Sequence, residues 1–144
     1  MKYLSATIFA VLLMAFKQPN KSTLTIRSDG FNNDDGTAMV LLFRKGDKIP
    51  GSPFKTLSVE IRDHKANFEI PGLPYNDYAV ILLHDGNNNG KIDHLLGLPN
   101  EQLGYSNNWK LGFFTGMPTF NKLKFTFTAG STIQNINISY KKNK

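Results

Sequence analysis

The chain of 144 residues contains no cysteine, and that absence excludes a good deal. There is no disulfide framework, no thiolate zinc site, no cysteine nucleophile and no lipid-modified cysteine behind an export signal. Helical spacing of apolar residues is nearly absent after Lys21, which leaves no recognition helix for nucleic acid. Catalytic signatures are missing too: no G-x-S-x-G, H-E-x-x-H or phosphate loop occurs, and only His64, His84 and His94 could serve as imidazole bases. Acids stop at Glu101, so Lys110, Lys122, Lys124, Lys141, Lys142 and Lys144 follow without a counter-charge. Such a basic stretch could meet anionic lipid or polysaccharide, although outward lysines on strands also block edge pairing and keep a protein soluble.

What is present suits a small exported domain. There are 17 basic and 11 acidic residues, a formal charge of +6, and 40% hydrophobic residues. A chain of this size buries roughly two-thirds of its unfolded surface without help from disulfides. Met1–Phe16 opens on Lys2 and is otherwise uncharged and mostly apolar, then ends at Lys17 and Pro19. A span needs about 20 apolar residues, so the run reads as a secretory signal over residues 1–17 and not as an anchor. The expectation is a periplasmic or secreted monomer, one domain over residues 21–141, with no membrane span in the mature chain.

Apolar residues then recur with a period of two, which puts alternate side chains on one face of a strand. Leu24 and Ile26, Leu57, Val59 and Ile61, Phe68 and Ile70, Leu123, Phe125 and Phe127, and Ile136, Ile138 and Tyr140 all follow it. Ala38–Phe43 and Tyr78–Leu83 are continuous apolar runs, the pattern of central strands covered on both faces. Dense turn signals, among them Asp29-Gly30 and Asp35-Gly36, separate the runs. Together they predict an all-β fold: an antiparallel β-sandwich of about seven strands with a long loop, from His84 to about Phe120, after the central strand. A connection of that length is either functional or a separately packed flap.

One constellation carries chemistry. In His84-Asp85-Gly86-Asn87-Asn88-Asn89-Gly90-Lys91-Ile92-Asp93, oxygen-bearing side chains recur at Asp85, Asn87, Asn89 and Asp93. This is the first part of a calcium loop, with Lys91 placed to offer its backbone carbonyl and Gly90 at the sharp turn. Ile92 should point back and tie the loop to the core. The twelfth position is Leu96 and not a bidentate glutamate, so the loop is not a complete EF-hand, and Glu101 is the nearest acid able to complete the shell. A site with so few carboxylates would be weak, on the order of 10⁻⁴–10⁻³ M for Ca²⁺. The alternative is a metal-free turn, since Asn and Asp tolerate left-handed backbone and bond their own amides. Farther on, Tyr105, Asn107, Asn108 and Trp109 could bind a ligand by stacking rings on sugars, or the two rings could cap the core. Phe113-Phe114 could be a contact patch, although an apolar pair in a flap is more often its anchor.

The segments HDGNNNGKID and LGLPNEQLGYSNN, followed by Pro118–Phe120 and a closing alternating strand, resemble the bacterial domain of unknown function 2141 family. Its members typically carry a signal peptide, a YAVxxxHDxNxNGxxD centre and an LGxPxEGYGFSNN stretch. The likeness covers nearly all of the chain after the signal, with departures at Gly86, often acidic in the family, and at Gln102-Leu103. It implies a short immunoglobulin- or transthyretin-like sandwich and no established activity. Transthyretin-like hydrolases end in Tyr-Arg-Gly-Ser, whereas this chain ends Tyr140-Lys141-Lys142-Asn143-Lys144. The expectation is a non-catalytic, Ca²⁺-binding accessory or interaction module contacting a glycan or envelope protein. The alternative is a small hydrolase using His84 with Asp85 or Glu101, although neighbours on a strand point to opposite faces.

Overall fold

A computed structural model describes residues 20–95, 98–112 and 114–139. The expected signal, Leu96, Phe113 and residues 140–144 lie outside them. The alternating segments form β1 (Lys21–Asp29), β3 (Lys55–Glu60) and β4 (Lys65–Pro74), and the two continuous runs form β2 (Thr37–Arg44) and β5 (Asn76–Asp85). A two-residue hairpin follows, β6 (His94–Leu95) with β7 (Leu98–Pro99), then β8 (Leu103–Tyr105), a 3-10 turn at Ser106–Asn108, a single helical turn α1 (Phe120–Leu123), β9 (Phe125–Phe127) and β10 (Ile133–Ser139).

The main sheet runs β3-β2-β5-β8-β10-β1-β4, with β9 pairing the start of β5. It is all-β and nearly closes into a barrel. The expectation of a wholly antiparallel sheet is corrected: β1 and β10 are parallel, from Thr25 opposite Ile133 to Asp29 opposite Asn137. The reason is connectivity. The Thr128–Ser131 turn delivers β10 from the end where β1 starts, into the gap between β1 and β8.

Two apolar layers explain the two kinds of sequence run. Leu24, Ile26, Val40, Leu42, Phe68, Ile70, Val80, Leu82 and Ile136 fill the interior of the sheet. The opposite faces of β2 and β5, with Met39, Leu41, Phe43, Ala79, Ile81 and Leu83, form a second cluster outside it. Ile49, Ile92, Trp109 and Phe120 pack onto that outer cluster. Because β2 and β5 are buried on both faces, neither can alternate with polar residues.

The stretch after β5 is more integrated than a loop. β8 inserts between β5 and β10, pairing Leu83 with Leu103 and Ile138 with Gly104. Gly104 is required there: a Cβ would come within 3.0 Å of the Asn137 carbonyl oxygen. Leu123 belongs to α1 and not to the strand its alternation suggested; its side chain is fully buried in the outer cluster.

Candidate functional site

The predicted loop leaves the end of β5, where Asp85 stands opposite Thr37. Asp85 is only 2% exposed. Its Oδ1 accepts the Asn89 amide at 3.1 Å and its Oδ2 accepts the Gly90 amide at 2.7 Å. The chain therefore reverses around one carboxylate. Asn88 and Gly90 take positive φ, 57° and 72°, the geometry that Asn and Gly adopt at lowest cost.

The remaining donors fold toward the same turn. Asn87 Oδ1 accepts the Asn89 amide at 3.1 Å, and Asn89 Oδ1 accepts the Lys91 amide at 2.8 Å. The Asn87 and Asn89 side-chain amides donate to the two oxygens of Asp93, at 2.7 and 2.8 Å. Ile92, half-buried, packs on the outer cluster and fixes the loop to the sheet.

Glu101 joins from the far side of the β6–β7 hairpin. The hairpin returns the chain so that the Asn100 amide donates to the Asp93 carbonyl at 2.8 Å, and the Asp93 amide donates to Glu101 Oε2 at 2.9 Å. Partial burial pushes the Glu101 carboxyl above the usual range; the Asp93 amide opposes that, while the charges of Asp93 and Asp85 add to it. Asp85, Asn87, Asn89, Asp93 and Glu101 are thus brought together. Of Lys91, the amide belongs to this network and the side chain is exposed. Among the described residues, no three His, Asp or Glu side chains already stand as a metal-ligand group; the convergence here rests largely on amide side chains.

Sequence reading missed the support beneath the loop. Gly36 (φ 70°) lies so close that a Cβ there would sit 2.1 Å from the Asp85 carbonyl oxygen. Gln102, 6% exposed, accepts the Asn32 amide at 2.8 Å, donates to the Gly30 carbonyl at 3.3 Å and faces His84 Nδ1 at 3.1 Å. His84 Nε2 meets the Asp35 carbonyl at 2.8 Å, and the ring stands edge-on to Phe31. His84 thereby clamps the Gly30–Gly36 loop, with neither ring nitrogen directed at a nucleophile. Asp35-Gly36 was a visible signal for a turn; Gln102 gave none.

The second predicted group is divided. Tyr105 is 6% exposed and its ring lies in the outer cluster, edge-on to Trp109 at 4.7 Å between centroids. The reading of Tyr105 as an exposed stacking ring is corrected, because β8 is a sheet strand and turns that side chain inward. Burial pushes its phenol up to about 12. Trp109 is half-buried, while Asn107 and Asn108 are exposed at positive φ, with the Asn107 side-chain amide donating to the Lys122 carbonyl at 3.0 Å. The anchor reading of Phe114 is also corrected: it is 96% exposed.

Fold and site define a small all-β protein with an Asp/Asn loop, braced by a returning glutamate, at one end of its sheet. The chain belongs to the family described as "uncharacterized protein conserved in bacteria", domain of unknown function 2141, whose model matches residues 26–135. No curated protein and no solved structure matches it.

Proposed function

We propose that the protein is an exported, non-catalytic accessory module of the cell envelope whose Asp85–Asp93 loop, completed by Glu101, binds Ca²⁺ weakly. The observation that carries this reading is the pair of Asn side chains held on Asp93 at 2.7 and 2.8 Å. Rotating each amide would turn its oxygen toward Asp93 at the expense of the bond that oxygen accepts from the Asn89 or Lys91 backbone amide, and a hard cation would then draw oxygens from Asp85, Asn87, Asn89, Asp93 and Glu101 and the Lys91 carbonyl. Oxygen ligands of this kind suit Ca²⁺ and not zinc. Bound there, the ion would offset the mutual repulsion of three carboxylates and stiffen the connection into β8. Engagement of both His84 nitrogens supports the non-catalytic reading. The interior packing of β2 and β5 against β1, β4 and β10 supports a flattened immunoglobulin- or transthyretin-like sandwich as the finer description of the sheet.

One observation favours a second reading, a metal-free structural turn: the same side chains close their hydrogen bonds on one another. Thermal melting separates the two. Calcium at ten times its dissociation constant adds about 1.4 kcal/mol, which raises the melting temperature by roughly 5 °C for a domain of this size. Asp93→Asn should lose that increment; no shift in the wild type at millimolar calcium favours the plain turn.

A further inference from the structure

The end of the sheet opposite the Asp85 loop has the converse character. β1 and β5 start there, β2 ends there and β3 begins there, placing Lys21, Arg44, Lys45, Lys48 and Lys55 together at that end. The segment after β8 adds Lys110, Lys122 and Lys124, because β9 pairs with Asn76–Tyr78. The acids at this end are Asp47, half-buried beside Arg44, and Asp77, which accepts the Thr126 hydroxyl. Large apolar side chains are exposed on the same end: Phe114 96%, Met117 68%, Leu111 41% and Phe54 41%.

The tip bearing three of them is held in shape. The Gly112 amide donates to Thr115 Oγ1 and the Thr115 hydroxyl donates back to the Gly112 carbonyl, at 2.8 and 3.0 Å. Lys122 Nζ reaches across to the Thr115 and Met117 carbonyls at 2.7 and 2.9 Å. Pro118 is buried at its base and Trp109 packs on the outer cluster. The fold therefore spends hydrogen bonds on presenting Leu111, Phe114 and Met117 to the outside.

We propose that this end is a membrane-docking surface that inserts Phe114, Met117 and Leu111 into the headgroup boundary of an anionic phospholipid leaflet, with the surrounding cations on the phosphates. Exposed apolar tips collared by lysine bind where shallow insertion and charge attraction act together. Charge complementarity selects lipid: no acid follows Glu101 in the sequence, and the cations named above outnumber the acids at this end. The proposal stands apart from the cation loop, which lies at the other end.

The test is co-sedimentation of the protein recovered after export with vesicles of phosphatidylcholine alone or mixed equally with phosphatidylglycerol. All variants carry the same N-terminus. The wild type should partition onto the mixed vesicles, less so as salt is raised, and only weakly onto phosphatidylcholine. Phe114→Ser, whose side chain is outside the core, should weaken binding about tenfold, and Lys110→Glu with Lys124→Glu more than that, with melting temperatures unchanged. Equal binding to both vesicles, no binding to either, or indifference to both sets of changes would overturn the proposal. So would self-association of the wild type that Phe114→Ser abolishes while vesicles are ignored, since the occupant would then be a second copy of the chain.

Discussion

The Asp93 amide donates to the Glu101 carboxylate at 2.9 Å across the β6–β7 hairpin, and this bond brings a third acid to a loop that already holds Asp85 and Asp93. Burial first, and then the charges of Asp93 and Asp85, raise the Glu101 carboxyl, and it is the hairpin that returns Glu101 to them.

Gly36 should be the least replaceable residue of this end. Its backbone lies at φ 70° and a Cβ would collide with the Asp85 carbonyl oxygen and the Gly86 Cα. Gly36→Ala should cost about 2–4 kcal/mol in urea unfolding, from strain and displaced backbone together, and should also weaken calcium binding by moving Asp85.

Ser106 stitches β5 to α1 from within the core. Its Oγ accepts the Val80 amide at 2.8 Å and donates to the Leu123 carbonyl at 2.6 Å. Ser106→Ala leaves the buried Val80 amide without its acceptor, at a cost of about 1–3 kcal/mol. Amide exchange at Val80 should accelerate more than at Leu82, which distinguishes this loss from a general loosening.

Tyr105 makes the fold sensitive to alkali. Its folded phenol titrates near 12 because burial disfavours the phenolate, whereas an unfolded tyrosine titrates near 10. The folded value is raised, so the contribution is fully present below pH 10 and is lost as pH rises through 12. Denaturation midpoints should fall over that window, and Tyr105→Phe should fall less steeply than the wild type.

Asp34 controls the turn between β3 and β4. Asp63 and His64 both take positive φ, 52° and 62°, and their amides donate to the two Asp34 oxygens at 2.9 and 2.8 Å. These bonds, that from His64 foremost, hold the Asp34 carboxyl below its ordinary value. A lowered carboxylate contributes stability above its unfolded pKa and loses it as pH falls through the folded one. Asp34→Ala should speed exchange of the 63 and 64 amides at neutral pH, because both lose their acceptor.

Much of the fold was legible because burial on one or two faces writes a pattern into a strand. Leu24 and Ile26 alternate because β1 has one buried face; Ala38–Phe43 does not because β2 has two. β8 left no such mark, since three residues are too few to show a period, and its Leu103-Gly104-Tyr105 reads as loop until Gly104 is seen against β10. The parallel pairing of β10 with β1 is a contact between the two ends of the chain, to which local spacing is blind. In the site, the spacing from Asp85 to Asp93 was visible because side chains that turn toward one point must alternate along a loop. The positions of Glu101, Gln102 and Gly36 depend on how distant segments meet, and spacing carries no record of that.

The central claim is tested most directly by titrating Ca²⁺ into isotope-labelled protein and following backbone amide shifts at constant ionic strength, with potassium chloride as the matched control. The account predicts saturating shifts at Asn89, Gly90, Lys91 and Asp93, fitted by one dissociation constant on the order of 10⁻⁴–10⁻³ M and absent in Asp93→Asn. Amides of the loop that stay in place through millimolar calcium, or that move no more than under potassium chloride, would contradict it.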